Sequence, residues 1–212
     1  MVYSQLFELC HRDLEAQHLA REEALKHARL LTRHAAQAIR AIHRGEPEVA
    51  DEELKQAQAL LEKIKANLAP YPDLYFSGYT QDAIKEYVEA RLTQALVEEQ
   101  PLPLPEELGV ETATYLRGLG ETPGELRRRC LDILRKGYSD EAERLLTQMD
   151  EIYALLVTMD YPDAITSGLR HQTDMLRGII ERTRADLTLS LREHTLQKAI
   201  HELEQKLPNP KP

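Results

Sequence analysis

Apolar positions recur at helical spacing along most of the chain, and no stretch alternates with the period of two that a half-buried strand requires. A long first helix is predicted from about Ser4 to His43, its seam formed by Leu25, Ala28, Thr32, Ala35, Ile39 and Ile42. Arg44-Gly45-Glu46-Pro47 ends it, with glycine where the chain must turn out of the helix. A second helix covers about Glu48 to Leu68, with Leu54, Ala57, Leu61 and Ile64 on one face, and Pro70-Tyr71-Pro72 closes it. Thr80 is predicted to cap a third, which carries Ile84, Val88, Leu92 and Ala95 and reaches about Glu99. Residues 101–105 alternate proline and leucine and read as a stiff extended connector. A fourth helical region covers about Val110 to Lys136, and Ser139 opens a fifth that runs to about Met159. After Asp160-Tyr161-Pro162-Asp163 a last long helix reaches about Lys206, with the seam Leu169, Thr173, Leu176, Ile180, Thr183, Leu187.

The prediction is an all-α, elongated bundle of about six or seven helices, forming one domain over residues 1–206 with a disordered Pro-rich tail at 207–212. Ten of the eleven prolines fall between the periodic segments, where a missing N–H does little harm. Pro123 alone lies inside one, and Gly118, Gly120 and Gly124 crowd around it. A helix weakened in this way is a local rule violation of the kind found at functional sites. Helices of roughly 40 residues span about 60 Å, more than a 212-residue globule needs, so homo-oligomerisation is expected. No run approaches ~18 consecutive apolar residues, so no membrane association is expected. The first residues show no secretory signal, and two cysteines are too few for a disulfide framework; a cytoplasmic setting is the expectation.

Formal charge changes the picture once its distribution is considered. The total is −9, which taken as uniform argues against nucleic acid. Yet residues 24–45 contain Lys26, Arg29, Arg33, Arg40 and Arg44 and no Asp or Glu, so all 36 acidic residues lie elsewhere. At 100° per residue the four arginines fall within about 60° of one another. Like charges so spaced destabilise an isolated helix, so the row calls for a reason. One is a track for a phosphate backbone; the other is pairing with carboxylates of neighbouring helices. A second row, Arg170, Asp174, Arg177, Glu181 and Arg184, alternates in sign and reads as structural.

Two carboxylate motifs stand apart from the apolar seams. Glu86-Tyr87-Val88-Glu89 and Glu121-Thr122-Pro123-Gly124-Glu125 each place two carboxylates on one helical face. Four such groups on adjacent helices would make an oxygen-rich site suited to Mg²⁺ or Mn²⁺. Two such ions can activate water and stabilise the leaving oxygen of a phosphodiester. The alternatives are a solvated acidic face and, for the second motif, a capping box with Thr122 as N-cap, Pro123 at N1 and Glu125 at N3. The pairs Glu8/His11 and Glu15/His18 lie on one helix about 10 Å apart and cannot share a site. No constellation for nucleophilic catalysis is present.

Residues 81–90, from Gln81 through Glu86-Tyr87-Val88-Glu89 to Ala90, and residues 115–128, from Tyr115 through Gly124-Glu125-Leu126 to Arg128, resemble the translin family, especially its translin-associated factor X branch. Ala41-Ile42-His43-Arg44-Gly45, Asp160-Tyr161-Pro162-Asp163 and Leu169-Arg170-His171 are similar too, and the lack of long insertions resembles compact archaeal or bacterial members. The resemblance implies an all-α fold and closed octamers that hold single-stranded RNA or DNA inside. It also implies that Glu86, Glu89, Glu121 and Glu125 are the metal-holding and catalytic set, with Mg²⁺ or Mn²⁺ as cofactor. Glu121 stands where the eukaryotic motif has aspartate, and Thr122-Pro123 departs from that motif. The plain translin branch lacks the acidic set and binds without cutting. The expectation is therefore a homo-oligomeric, metal-dependent endoribonuclease acting on single-stranded or short structured RNA, with Lys26, Arg29, Arg33, Arg40 and Arg44 positioning the backbone. The competing expectations are a non-catalytic nucleic-acid-binding shell and an all-α scaffold for a protein partner.

Overall fold

The computed structural model describes residues 2–206, and among these there is no strand. The helices are α1 (Val2–Arg44), α2 (Pro47–Leu68), α3 (Pro72–Tyr75), α4 (Gly78–Val97), α5 (Pro105–Leu108), α6 (Thr112–Leu134), α7 (Asp140–Val157), α8 (Asp163–Thr166) and α9 (Leu169–Lys206). Six are long and three are single turns, in line with the predicted all-α architecture. The predicted Pro-rich tail, 207–212, lies outside the described residues. The chain divides into two compact units, Met1–Leu119 and Gly120–Pro212, with the division inside α6.

In the first unit α1 packs against both α2 and α4. That double contact widens its buried face: Ala24, Ala28, Leu31, Ala35, Ala38 and Ile42 are buried, whereas Leu25 and Thr32 of the predicted seam are only half-buried. The alanines let neighbouring backbones approach closely, which is why they carry the seam despite their small apolar area. Gly45 takes a left-handed φ of 69° and its N–H reaches the Ile42 carbonyl, ending α1 as expected. The predicted α2 face is buried in full.

Helix α4 is buried on most sides, with Asp82 and Glu86 on its more open stripe. It starts three residues before the expected point, so Thr80 lies within the helix and is no cap. Ser77 holds the N-cap position in extended backbone, and the hydroxyls of Ser77 and Thr80 both donate to the Leu74 carbonyl, at 2.6 and 2.9 Å. Those bonds tie the start of α4 to α3.

The second unit joins the end of α6 to α7, α8 and α9. Ser139 caps α7 by accepting from the Glu141 N–H at 3.2 Å, and the α9 seam from Leu169 to Leu187 is buried as predicted. Arg127 reaches Asp186 at 2.8 Å and Thr183 at 3.0 Å, so an ion pair and a hydrogen bond tie α6 to α9. In the alternating row of α9, Arg177 pairs with Glu181 at 3.1 Å and Arg184 with Asp150 of α7 at 2.7 Å. That row is structural.

Candidate metal centre

The first carboxylate pair sits on α4. Glu86 keeps its side chain 31 % exposed, while Glu89, one turn on, is buried. Directly before Glu86, the buried Lys85 places its Nζ 3.1 Å from Glu86 Oε1. Tyr87 and Val88 point into the core, so the acidic face is set by helix geometry and by the burial of the residues between.

The second motif sits on α6, which runs without interruption through Pro123. The capping-box reading of this motif is therefore corrected: Thr122 is buried in mid-helix and caps nothing. Pro123 cannot donate to the carbonyl four residues back, that of Leu119. Burial of Leu119, Leu126 and Cys130 on this helix outweighs that loss. Gly118 explains the glycine excess locally, since a Cβ there would lie 2.6 Å from Val88 Cγ1 and 3.1 Å from the Lys85 carbonyl oxygen. Only glycine lets α6 approach α4 so closely at this point.

Glu86, Glu89 and Glu121 each offer a carboxylate oxygen, and these oxygens lie within 4.8 Å of one another. Among the described residues, no other group of three His, Cys, Asp or Glu side chains comes together this way. Oxygens on opposite sides of an octahedral Mg²⁺ are about 4.2 Å apart, so small rotamer adjustments bring this set to a hard ion. The donor chemistry fits Mg²⁺ or Mn²⁺ and disfavours soft metals. Glu125 follows Glu121 by one turn, with a carboxylate oxygen 3.8 Å from Arg128, and stands outside the group of three. The sequence reading singled out the carboxylates and passed over Lys85, which is one of five charged residues on α4 and is set apart only by its burial.

The basic row lies on α1, where Lys26, Arg29, Arg33, Arg40 and Arg44 are all exposed. Lys26 pairs with Glu23 at 3.5 Å and Arg44 with Glu46 at 2.6 Å. The hydrogen bond to Glu46 also raises the Arg44 guanidinium pKa above its ordinary value. Arg29, Arg33 and Arg40 form no ion pair with a carboxylate among the described residues, so pairing across helices does not account for them. The Glu8/His11 and Glu15/His18 pairs are exposed; His11 stacks on Phe7 with ring centroids 5.6 Å apart. No helix among the described residues is long and apolar enough to cross a membrane.

Fold and site together define an all-α protein with three acidic side chains converging from two helices. No family model matches the chain. It is 35 % identical over 182 residues to the uncharacterized protein MJ0175 of Methanocaldococcus jannaschii, covering 82 % of this chain and 80 % of that one. Among solved structures it is similar to AfC3PO, seen in a crystal structure and in a complex with duplex RNA. Both are 39 % identical with a TM-score of 0.81, covering 88 % of this chain and 97 % of the other. Apo-NeC3PO, 23 % identical with a TM-score of 0.79 over 87 % of this chain and 96 % of its own, shares the fold. The chain belongs to the translin family.

Proposed function

We propose that this protein is a divalent-metal-dependent endoribonuclease of the factor X type, acting on single-stranded or short structured RNA inside a homo-oligomeric shell. The observation that carries the reading is the convergence of Glu86, Glu89 and Glu121 within 4.8 Å, at the positions where the family resemblance calls for metal-holding acids. Three carboxylate oxygens within reach of one hard ion favour a metal-holding role over a merely solvated acidic face. The duplex-RNA complex of AfC3PO, 39 % identical to this chain, supports RNA as the substrate class.

Glu86, Glu89 and Glu121 would hold Mg²⁺ or Mn²⁺, with Glu125 as the fourth acidic residue one turn along α6. When bound, the ion supplies an activated water and a counter-charge for the leaving oxygen. The protein's part is to fix the carboxylates on two helices packed at Gly118 and to keep the buried Glu89 oriented. On α1, Arg29, Arg33 and Arg40 would hold successive phosphates, with Lys26 and Arg44 at the ends of the row. Such chemistry does not use the 2′-hydroxyl as nucleophile, so any preference for RNA arises in binding.

The test is incubation of labelled single-stranded and hairpin RNA with the purified protein in Mg²⁺, Mn²⁺ or EDTA, beside Glu86→Gln prepared identically. Product that requires metal and disappears in Glu86→Gln supports the nuclease. Retarded but intact RNA under every condition points to a binding shell instead.

A further inference from the structure

Lys85 and Glu89 are the only Lys, Arg, Asp or Glu residues buried among the described residues, and they lie one turn apart on α4. Lysine normally extends its ammonium to water along an apolar stem. The Lys85 side chain is only 11 % exposed, and its Nζ is 3.1 Å from Glu86 Oε1, one of the three gathered carboxylates. A buried ammonium persists only beside anions, and gathered carboxylates persist only beside a cation. The same α4 turn is fixed from behind, because the Lys85 carbonyl oxygen lies 3.1 Å from where a Gly118 Cβ would be.

We infer that Lys85 is the resident counter-cation of the carboxylate cluster: it holds Glu86 until a divalent ion arrives and then yields it. The inference rests on the metal reading of the cluster. Lys85 is thus a positioning residue that sets how tightly the ion binds. The metal must displace an ammonium from Glu86, and a fixed positive charge a few ångströms away disfavours a second cation. The same charge helps to hold the metal-free chain folded, because its pairing with Glu86 offsets part of the repulsion among the carboxylates.

Lys85→Met keeps the aliphatic stem and removes the charge, whereas Lys85→Arg keeps the charge. Mn²⁺ binding is measured by titration calorimetry on wild type, both variants and Glu86→Gln, alongside melting temperatures in EDTA and in Mn²⁺. Lys85→Met is expected to bind Mn²⁺ about tenfold more tightly, to melt earlier in EDTA and to recover in Mn²⁺. Lys85→Arg is expected to stay within about threefold of wild type. Affinity unchanged or weakened in Lys85→Met overturns the inference, as does an equal change in Lys85→Arg. A Lys85→Met chain that stays unfolded in saturating Mn²⁺ overturns it too, because no ion has then taken over the role. If wild type binds no Mn²⁺, the metal reading falls and this inference with it. If wild type binds Mn²⁺, Glu86→Gln does not, and Lys85→Met matches wild type, only the role of Lys85 falls.

Discussion

Gly118 of α6 lies against Val88 of α4 so closely that a Cβ on the glycine would sit 2.6 Å from Val88 Cγ1 and 2.8 Å from Val88 Cβ. Val88 is fully buried and occupies the residue between Glu86 and Glu89, one step before the latter. The contact therefore sets the distance between the two backbones at the turn that carries the acidic pair. A residue three positions after Gly118, Glu121, brings the third carboxylate to that pair.

Gly118→Ala is expected to destabilise the fold by about 1–3 kcal/mol, because a β-branched side chain with a fixed χ1 cannot swing away from the added methyl. In the same chain Val88→Ala removes the Cγ1 contact but keeps a Cβ at 2.8 Å, so it recovers only part of that loss. Chemical denaturation of the two single variants and the double variant reads out the coupling. Additive losses would show that the two residues do not constrain each other.

The helices were legible because their punctuation is chemical: Gly45 after α1, Ser139 before α7 and the prolines between elements all act where the sequence places them. The α9 seam was legible because one face alone is buried there. On α1, two neighbours bury adjacent faces, and a stripe of alanines is a weak apolar signal; hence Leu25 and Thr32 stood in for Ala24 and Leu31. Thr80 looked like a cap because its hydroxyl does bond backbone, yet its acceptor is the Leu74 carbonyl rather than an exposed N–H. Pro123 argued for a break that packing of α6 overrides. Spacing alone placed the carboxylates in two pairs and left a shared site as one open reading, which the family resemblance favoured; that Glu121 joins Glu86 and Glu89 depends on tertiary packing.

On the proposed function, removing the Glu121 charge is expected to separate cleavage from binding. Glu121→Gln is nearly isosteric and leaves the helix intact, so RNA affinity is expected to stay within about twofold. Metal-dependent cleavage is expected to fall by more than about 100-fold, beyond what loss of an outer-shell partner costs. Gel retardation and product analysis on one preparation check both. Cleavage at the wild-type rate would remove Glu121 from the site.

The exposed arginines of α1 make a different prediction, one about salt. Arg33→Gln with Arg40→Gln removes two potential phosphate contacts without touching the carboxylates. Each contact to a single strand contributes about 0.7 to the slope of log K against log salt, so the double variant should lower the slope magnitude by about 1.4. Fluorescence anisotropy across a salt series measures it. An unchanged slope would place the RNA elsewhere.

Cys130 is buried and its Sγ donates weakly to the Ala142 carbonyl at 3.7 Å. Burial, and secondarily the carboxylate of Glu141, push its thiol from an ordinary 9 up to about 11. The folded chain thus disfavours the thiolate that the unfolded chain forms near pH 9. The stabilising contribution is complete below pH 9 and is lost as pH climbs toward 11. In a Cys10→Ser background, Cys130 should resist iodoacetamide at pH 8 until denaturant is added, as read by mass spectrometry. Melting temperatures should fall more steeply above pH 9 than in the same chain carrying Cys130→Ala.

Beyond the buried seam of α9, which ends at Leu187, the helix carries Leu189, Leu196, Ile200 and Leu203, each 48 % or more exposed. Three of these recur every seven residues, the spacing that aligns an apolar row along one side of a helix. At the other end of the chain, α1 exposes Leu6, Phe7 and Leu14. Rows of this kind on water-exposed helices are expected to be covered when copies of the chain associate. Leu196→Asp with Leu203→Asp places charge in the α9 row, far in sequence from the carboxylates and from the basic row of α1. By light scattering this variant is expected to have a lower solution mass than the wild type, with helicity by circular dichroism unchanged. A solution mass equal to that of the wild type would show that the α9 row is not a contact between copies of the chain.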